Sequence, residues 1–113
     1  MHELGIVIHL IKSVNKIAEE REVKEVREIT LEVGQVSGVV KEYFLDAFEW
    51  AKKKEPLLKN CKLNYVTIAA ISYCEDCKET YSTAKGKICP MCGGEHTYLI
   101  SGRDVAIKDI KVI

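Results

Sequence analysis

From Leu4 to Ala18 the apolar residues Leu4, Val7, Ile8, Ile11, Val14, Ile17 and Ala18 recur at three- and four-residue steps, which predicts an amphipathic helix. The charged run EEREVKEVRE ends it in solvent. EITLEVGQV then alternates, with Ile29, Leu31 and Val33 on one face and Thr30 and Glu32 on the other, the pattern of a half-buried strand near residues 28–36. Gly34, Ser37 and Gly38 loosen the chain, Ser37 offers an N-cap, and VVKEYFLDAFEWAKKK sets Val40, Phe44, Ala47, Phe48 and Ala51 on a second helical stripe. Lysines suited to a helix carboxyl end close that helix before Pro56. CKLNYVTIAAIS reads as a second strand, near residues 62–72, whose apolar phase changes at about Val66. TYLIS and DVAIKDIKVI flank a turn at SGRD, and the last strand, near residues 104–112, keeps Val105 and Ile107 in one phase and Ile110 and Val112 in the other. That slip predicts a bulge near Lys108 or Asp109.

Between Tyr73 and His96 the aliphatic runs vanish and Cys, Gly and Lys take over, so this stretch cannot build a hydrophobic core of its own. CEDC supplies Cys74 and Cys77, CPMC supplies Cys89 and Cys92, and eleven residues separate the pairs. This is the framework of one tetrahedral zinc held by four thiolates. Two intervening residues let both sulfurs of a pair face one ion, Gly93 and Gly94 free nearby N–H groups to turn toward sulfur, and Lys78 and Lys87 offset part of the negative charge. Four protein sulfurs leave no open position for water, so the zinc would be structural. Iron accepts the same ligands, as in a rubredoxin-like centre. His96, four residues past Cys92, reads as a solvated loop residue, and Cys61 as a semi-buried small side chain at a strand entrance.

The length of 113 residues suits one domain with a small appendage. Lys plus Arg and Asp plus Glu each number 17, so no single-sign field draws the chain to nucleic acid or to a membrane surface. No apolar run is long enough to cross a bilayer and the start lacks the parts of a secretory signal, which points to the cytoplasm. In a reducing compartment five cysteines are better explained by metal than by disulfides. No nucleophile, base and orienting group converge in any motif, so an enzyme is not expected.

The chain opens MHELGIV. The Met1 amine, the backbone nitrogen of His2 and its Nδ1 can close adjacent chelate rings on one ion, and Glu3 adds a backbone nitrogen and a carboxylate. Such nitrogen donors suit the square-planar preference of Ni(II) or Cu(II). Taken alone, His2 reads first as part of a frayed end, Glu3 as a favourable first-turn acid, and His9 as a partly exposed surface histidine.

MHELGIV, EVGQVSGV, EPLLKNCKL, the paired CEDC and CPMC followed by GG, and the closing SGRDVAIKDIKVI together resemble the HypA/HybF family of hydrogenase nickel-incorporation proteins, in order and spacing, over essentially the whole chain. The resemblance implies a nickel metallochaperone that delivers Ni(II) to the maturing large subunit of a [NiFe] hydrogenase, works with the GTPase HypB, and in some organisms supports urease maturation. It places the nickel motif on Met1, His2 and Glu3 and the zinc motif on Cys74, Cys77, Cys89 and Cys92. The implied fold is α+β: two helices packed on a three-stranded sheet, with an inserted small four-cysteine domain of zinc-ribbon-like (rubredoxin-like) form. Its expected boundaries are residues 1–72 and 98–113 for the nickel-binding part and 73–97 for the zinc-binding part. Homodimerisation is left open.

Overall fold

The computed structural model describes residues 2–113, with side chains from Glu3 onward. Its elements run α1 (His2–Glu20), β1 (Val26–Gly34), α2 (Lys41–Lys52), β2 (Lys62–Ile68), β3 (Ile71–Cys74), β4 (Thr80–Ser82), β5 (Thr97–Ser101) and β6 (Val105–Val112). They form two compact units. One comprises Met1–Leu31, Val39–Asn64 and Ile107–Ile113, the other Glu32–Gly38 and Tyr65–Ala106. Two helices and a three-stranded sheet, with a four-cysteine insert before the last strand, match the expected fold class. No helix among the described residues is long and apolar enough to cross a membrane.

In the first unit α1 packs on α2. Val7, Leu10, Ile11, Val14 and Ala18 are buried, whereas Ile8 and Ile17 face solvent. The expected stripe is therefore trimmed at its flanks and gains Leu10. A helical period through Val7, Val14 and Ala18 sweeps past Leu10 and Ile11 and turns Ile8 away, a distinction that three-and-four spacing does not resolve. After Glu20 the chain closes α1 with Glu22 in the left-handed region at φ 54°. Val23 N–H donates to Ala18 O at 2.9 Å and Glu22 N–H to Glu19 O at 3.4 Å, the paired bonds of a Schellman stop.

On α2, Phe44, Ala47, Phe48 and Ala51 are buried as the stripe predicts, whereas Val40, its expected first member, is exposed at the N-cap. The helix begins after Val40 and not at Ser37. The Ser37 N–H instead closes a turn onto Gly34 O at 3.0 Å. The Val40 N–H donates to Glu3 Oε2 at 3.3 Å, so a carboxylate from α1 serves the start of α2. A capping box would draw this acceptor from the third helical residue, but Tyr43 stands there and has no carboxylate to reach back with. An acid at this end also meets the positive pole of the helix dipole.

The larger sheet has the order β2-β1-β6. β1 runs antiparallel to β6: Glu25 and Ile113 exchange backbone bonds at one end, and Gly34 N–H reaches Asp104 O at the other. β1 runs parallel to β2, with the Asn64 side chain on Thr30 and the Gln35 N–H on Ile68 O. Ile29, Leu31 and Val33 are buried as the alternation requires. On β6, Val105, Ile107 and Ile110 are half-buried and Lys108 and Asp109 between them are exposed, which puts the phase slip where it was expected.

The expected strand over residues 62–72 is two strands, and this corrects the sequence reading. β2 ends at Ile68, and β3 belongs to a second, antiparallel sheet of order β4-β3-β5. The break falls at Ala70, whose N–H goes to Gln35 Oε1 at 2.9 Å and whose carbonyl accepts from Thr83 N–H at 3.0 Å. Gly102 lies against it at φ 94°, where an added Cβ would stand 2.5 Å from Ala70 Cα. A backbone crossing this tight leaves no space for a continuous ladder.

Candidate metal centre

The four cysteines sit on two turns of the same construction. In the first, Lys78 N–H donates to Cys74 O at 2.8 Å and Cys74 N–H donates to Glu79 O at 2.9 Å. In the second, Gly93 N–H donates to Cys89 O at 2.9 Å and Cys89 N–H donates to Gly94 O at 2.9 Å. The fifth residue of each turn takes a positive φ, 60° at Lys78 and 73° at Gly93. That left-handed step doubles the chain back and aims both sulfurs of a pair the same way.

Across the turns Cys74 Sγ lies 3.6 Å from Cys92 Sγ, and Cys77 Sγ 3.7 Å from Cys89 Sγ. All four sulfurs fall within 4.8 Å of one another. A zinc tetrahedron with bonds of about 2.3 Å has sulfur–sulfur edges of about 3.8 Å, so the donor set fits one tetrahedral ion. Gly94 N–H points at Cys92 Sγ at 3.4 Å, the N–H-to-sulfur contact expected of the double glycine. Packing around the cage is thin. Cys74, Tyr81 and Cys89, with Cys77 against them, make up its buried cluster, and Tyr81 is tied through its hydroxyl to Gly86 O at 2.9 Å.

Crowding splits the thiols. Burial pushes Cys77 up to about 12, reinforced by the neighbouring thiols. At Cys89 burial also pushes upward, but the N–H groups of Cys92 and Met91, together with the thiols of Cys77 and Cys92, outweigh it and bring the group down to about 7. A cation bound among the four sulfurs favours the thiolate form of each.

His96 is exposed, as expected of a loop residue, but it is not solitary. Its Nδ1 lies 3.2 Å from both carboxylate oxygens of Asp76, inside the CEDC turn, and its carbonyl accepts from Glu75 N–H at 2.9 Å. Cys61 lies apart from the cluster, more deeply buried than its semi-buried expectation, and burial raises its thiol pKa. His9 is exposed. Met1 and the His2 imidazole lie outside the described residues. Glu3 is only 5 % exposed, with its carboxylate engaged at Val40, while His2 and Glu3 occupy the first turn of α1. Sequence reasoning passed over the exposed aromatics Tyr43 and Trp50, which flank the buried face of α2 on the side of Ala47. Their signal was the seven-residue spacing on a face that the stripe assigns to water.

Comparison with known proteins bears on this arrangement directly. Residues 1–112 match the family described as hydrogenase/urease nickel incorporation, metallochaperone, hypA. The hydrogenase maturation factor HypA of Actinobacillus succinogenes is 30 % identical, covering 99 % of both chains. That of Aeromonas salmonicida is 32 % identical, again over 99 % of each. The solution structure of the Ni metallochaperone HypA from Helicobacter pylori superposes with a TM-score of 0.74 at 20 % identity, over 100 % of this chain and 98 % of that one. A hydrogenase maturation role implies contact with other maturation proteins. Matched along nearly its whole length in sequence and fold, the chain belongs to the HypA family of nickel metallochaperones for hydrogenase maturation.

Proposed function

We propose that the chain carries Ni(II) on its amino terminus and uses the four-cysteine cage for a structural Zn(II). The observation that carries this reading is the completeness of the cage: four sulfurs at tetrahedral spacing satisfy one ion and leave no site for an exchangeable cargo. A nickel carrier must then hold its cargo elsewhere. The start of α1 has the right chemistry, because the first amides of a helix have no intrahelical acceptor and can serve a metal without breaking the helix. The Met1 amine, the His2 nitrogens and the Glu3 backbone nitrogen are the donors. The Glu3 carboxylate, engaged at Val40, braces the turn that presents them.

In this reading the segments 1–72 and 98–113 serve the cargo and 73–97 hold the structural ion, although the compact unit around the cage is wider, reaching from Tyr65 to Ala106. The ion when bound ties the two turns together, and the backbone N–H groups around the sulfurs stabilise their charge. The protein is cytoplasmic and not an enzyme. It receives or passes nickel in company with the GTPase HypB, the recipient is the large subunit of a [NiFe] hydrogenase, and urease maturation is a second outlet. The relatives' own names, hydrogenase maturation factor and Ni metallochaperone, support this assignment.

Equilibrium titration with nickel tests the cargo site. His2→Ala, or one residue fused ahead of Met1, should abolish tight binding. Because amine and imidazole must shed protons to bind, affinity should fall as pH drops through about 6.5, with proton release on loading. Unchanged affinity in both altered chains refutes the site. Protein purified without added metal should be colourless and contain one zinc per chain, whereas visible absorption would mean iron in the cage.

A further inference from the structure

Beside Glu3, in the first unit, α1 and α2 leave an open groove of about 670 Å³. It is lined by Glu3 and Leu4 from α1 and by Tyr43, Asp46, Ala47 and Trp50 from α2. Spacings of three, four and seven residues put the α2 set on one helix face. Tyr43 is 61 % exposed and Trp50 52 %, with Lys54 Nζ over the Trp50 ring at 4.0 Å from its centroid. Beyond Trp50 a second hollow of about 280 Å³ continues along Ile8, Lys12, Ala51 and Lys54. From Leu4 to Asn15 the groove follows α1 for about 16 Å at 1.5 Å per residue, the length of three helical turns.

Charge decides what fits. The larger hollow has two charged residues, the carboxylates Glu3 and Asp46, the smaller adds Lys12, Lys54 and Glu55, and Asp46 forms no ion pair with any described residue. Apolar walls beside an acid call for an apolar ligand with a cationic side chain next to its apolar stripe. A second copy of the chain supplies the wrong shape, since a groove laid on a groove leaves both unfilled.

We propose that this groove docks an amphipathic helix of a partner protein, apolar on one face, with an arginine or lysine set against Asp46. The assignment of that partner as the protein that exchanges the cargo rests on the nickel reading above, because the groove ends at Glu3. Docking there brings the partner to the first turn of α1. The partner's apolar residues cover Tyr43 and Trp50, and its cation fixes the register.

Trp50 is the sole tryptophan of the chain, so its emission reports on the groove directly. The probe is a synthetic helical peptide of about 18 residues, long enough for the groove, with leucines at i, i+3, i+4 and i+7 and one arginine beside them. Its binding to the full chain should shift Trp50 emission to the blue. A peptide with glutamate in place of the arginine, and the variant Asp46→Lys with the original peptide, should each bind about tenfold more weakly, and combining the two changes should restore affinity. Tyr43→Ser, at an exposed position, should weaken both peptides with the helical circular dichroism unchanged. Unmoved emission, or binding indifferent to the charge exchange, overturns the proposal. So does sedimentation of the wild-type chain as a dimer that Tyr43→Ser dissociates, which would assign the groove to a second copy. Nickel titration in parallel separates the two readings: peptide binding that persists when nickel fails to bind the terminus removes the cargo assignment and leaves the docking groove.

Discussion

Lys78 and Gly93 occupy equivalent places in the two cysteine turns, both at positive φ, and only one of them is glycine. For a residue with a Cβ the left-handed region costs about 1–2 kcal/mol, partly offset by the greater freedom glycine loses on folding. Gly93→Ala should therefore weaken metal retention by the cage, while Lys78→Gly should strengthen it or leave it unchanged, as competition with a chromophoric chelator would measure. The cysteines were legible because a metal demands particular atoms at particular spacings. Lys78 was legible only as a charge, since nothing in CEDCKE marks its backbone angle. The Ser37 cap failed for a related reason. Local sequence names the residues able to cap a helix, but the acceptor that served α2 came from Glu3, on another helix, and only folding brings the two together.

Between elements, a single carboxylate links the larger sheet. Glu28 on β1 accepts from Asn64 Nδ2 on β2 at 2.5 Å and pairs with Lys111 Nζ on β6 at 3.3 Å. The Asn64 bond first, and Lys111 next, hold the Glu28 carboxyl below its ordinary value. A depressed folded-state pKa contributes stability above the unfolded value of about 4.3, and that contribution disappears as pH falls through the folded value. Glu28→Gln should accordingly flatten the acid limb of a stability–pH curve measured by urea unfolding and leave fewer protons taken up on acid unfolding. Strand identity was readable from alternation, and β1 and β6 appear where it put them. The division of residues 62–74 into β2 and β3 was not. The phase change near Val66 was its trace, but the cause is the passage of Gly102 against Ala70, a contact 32 residues apart in the chain that no local pattern encodes.

At the scale of the whole molecule, the two compact units depend on different forces. The first has Phe44, Phe48, Val7, Val14 and Ile29 fully buried and is held by apolar packing. Around the cage, three of the four clustered side chains, Cys74, Cys77 and Cys89, are themselves metal donors, so the ion replaces a core there. Structural zinc contributes about 10–16 kcal/mol in small metal-held peptides at neutral pH, far beyond what Tyr81 supplies by burial. Stripping the metal with a strong chelator should release amide protection across β3, β4 and β5 while α1 and α2 keep theirs, as hydrogen exchange followed residue by residue would register. Equal loss in both regions would mean that the ion stabilises the entire chain. The loss of aliphatic runs after Tyr73 marks the cysteine stretch as short of an apolar core, but it does not mark the compact unit's bounds, which reach from Tyr65 to Ala106. The groove beside Glu3 was not foreseeable, because it exists only where two helices meet.

The hydrogen bond from Val40 to Glu3 joins the third residue of the chain to a helix 37 positions downstream. An exopeptidase that nibbled away three residues would do more than erase the proposed nickel site. It would also strip the amino end of α2 of its anchor, so a clipped chain would lose part of its resistance to unfolding together with that proposed site, and defective copies would become easier prey for degradation.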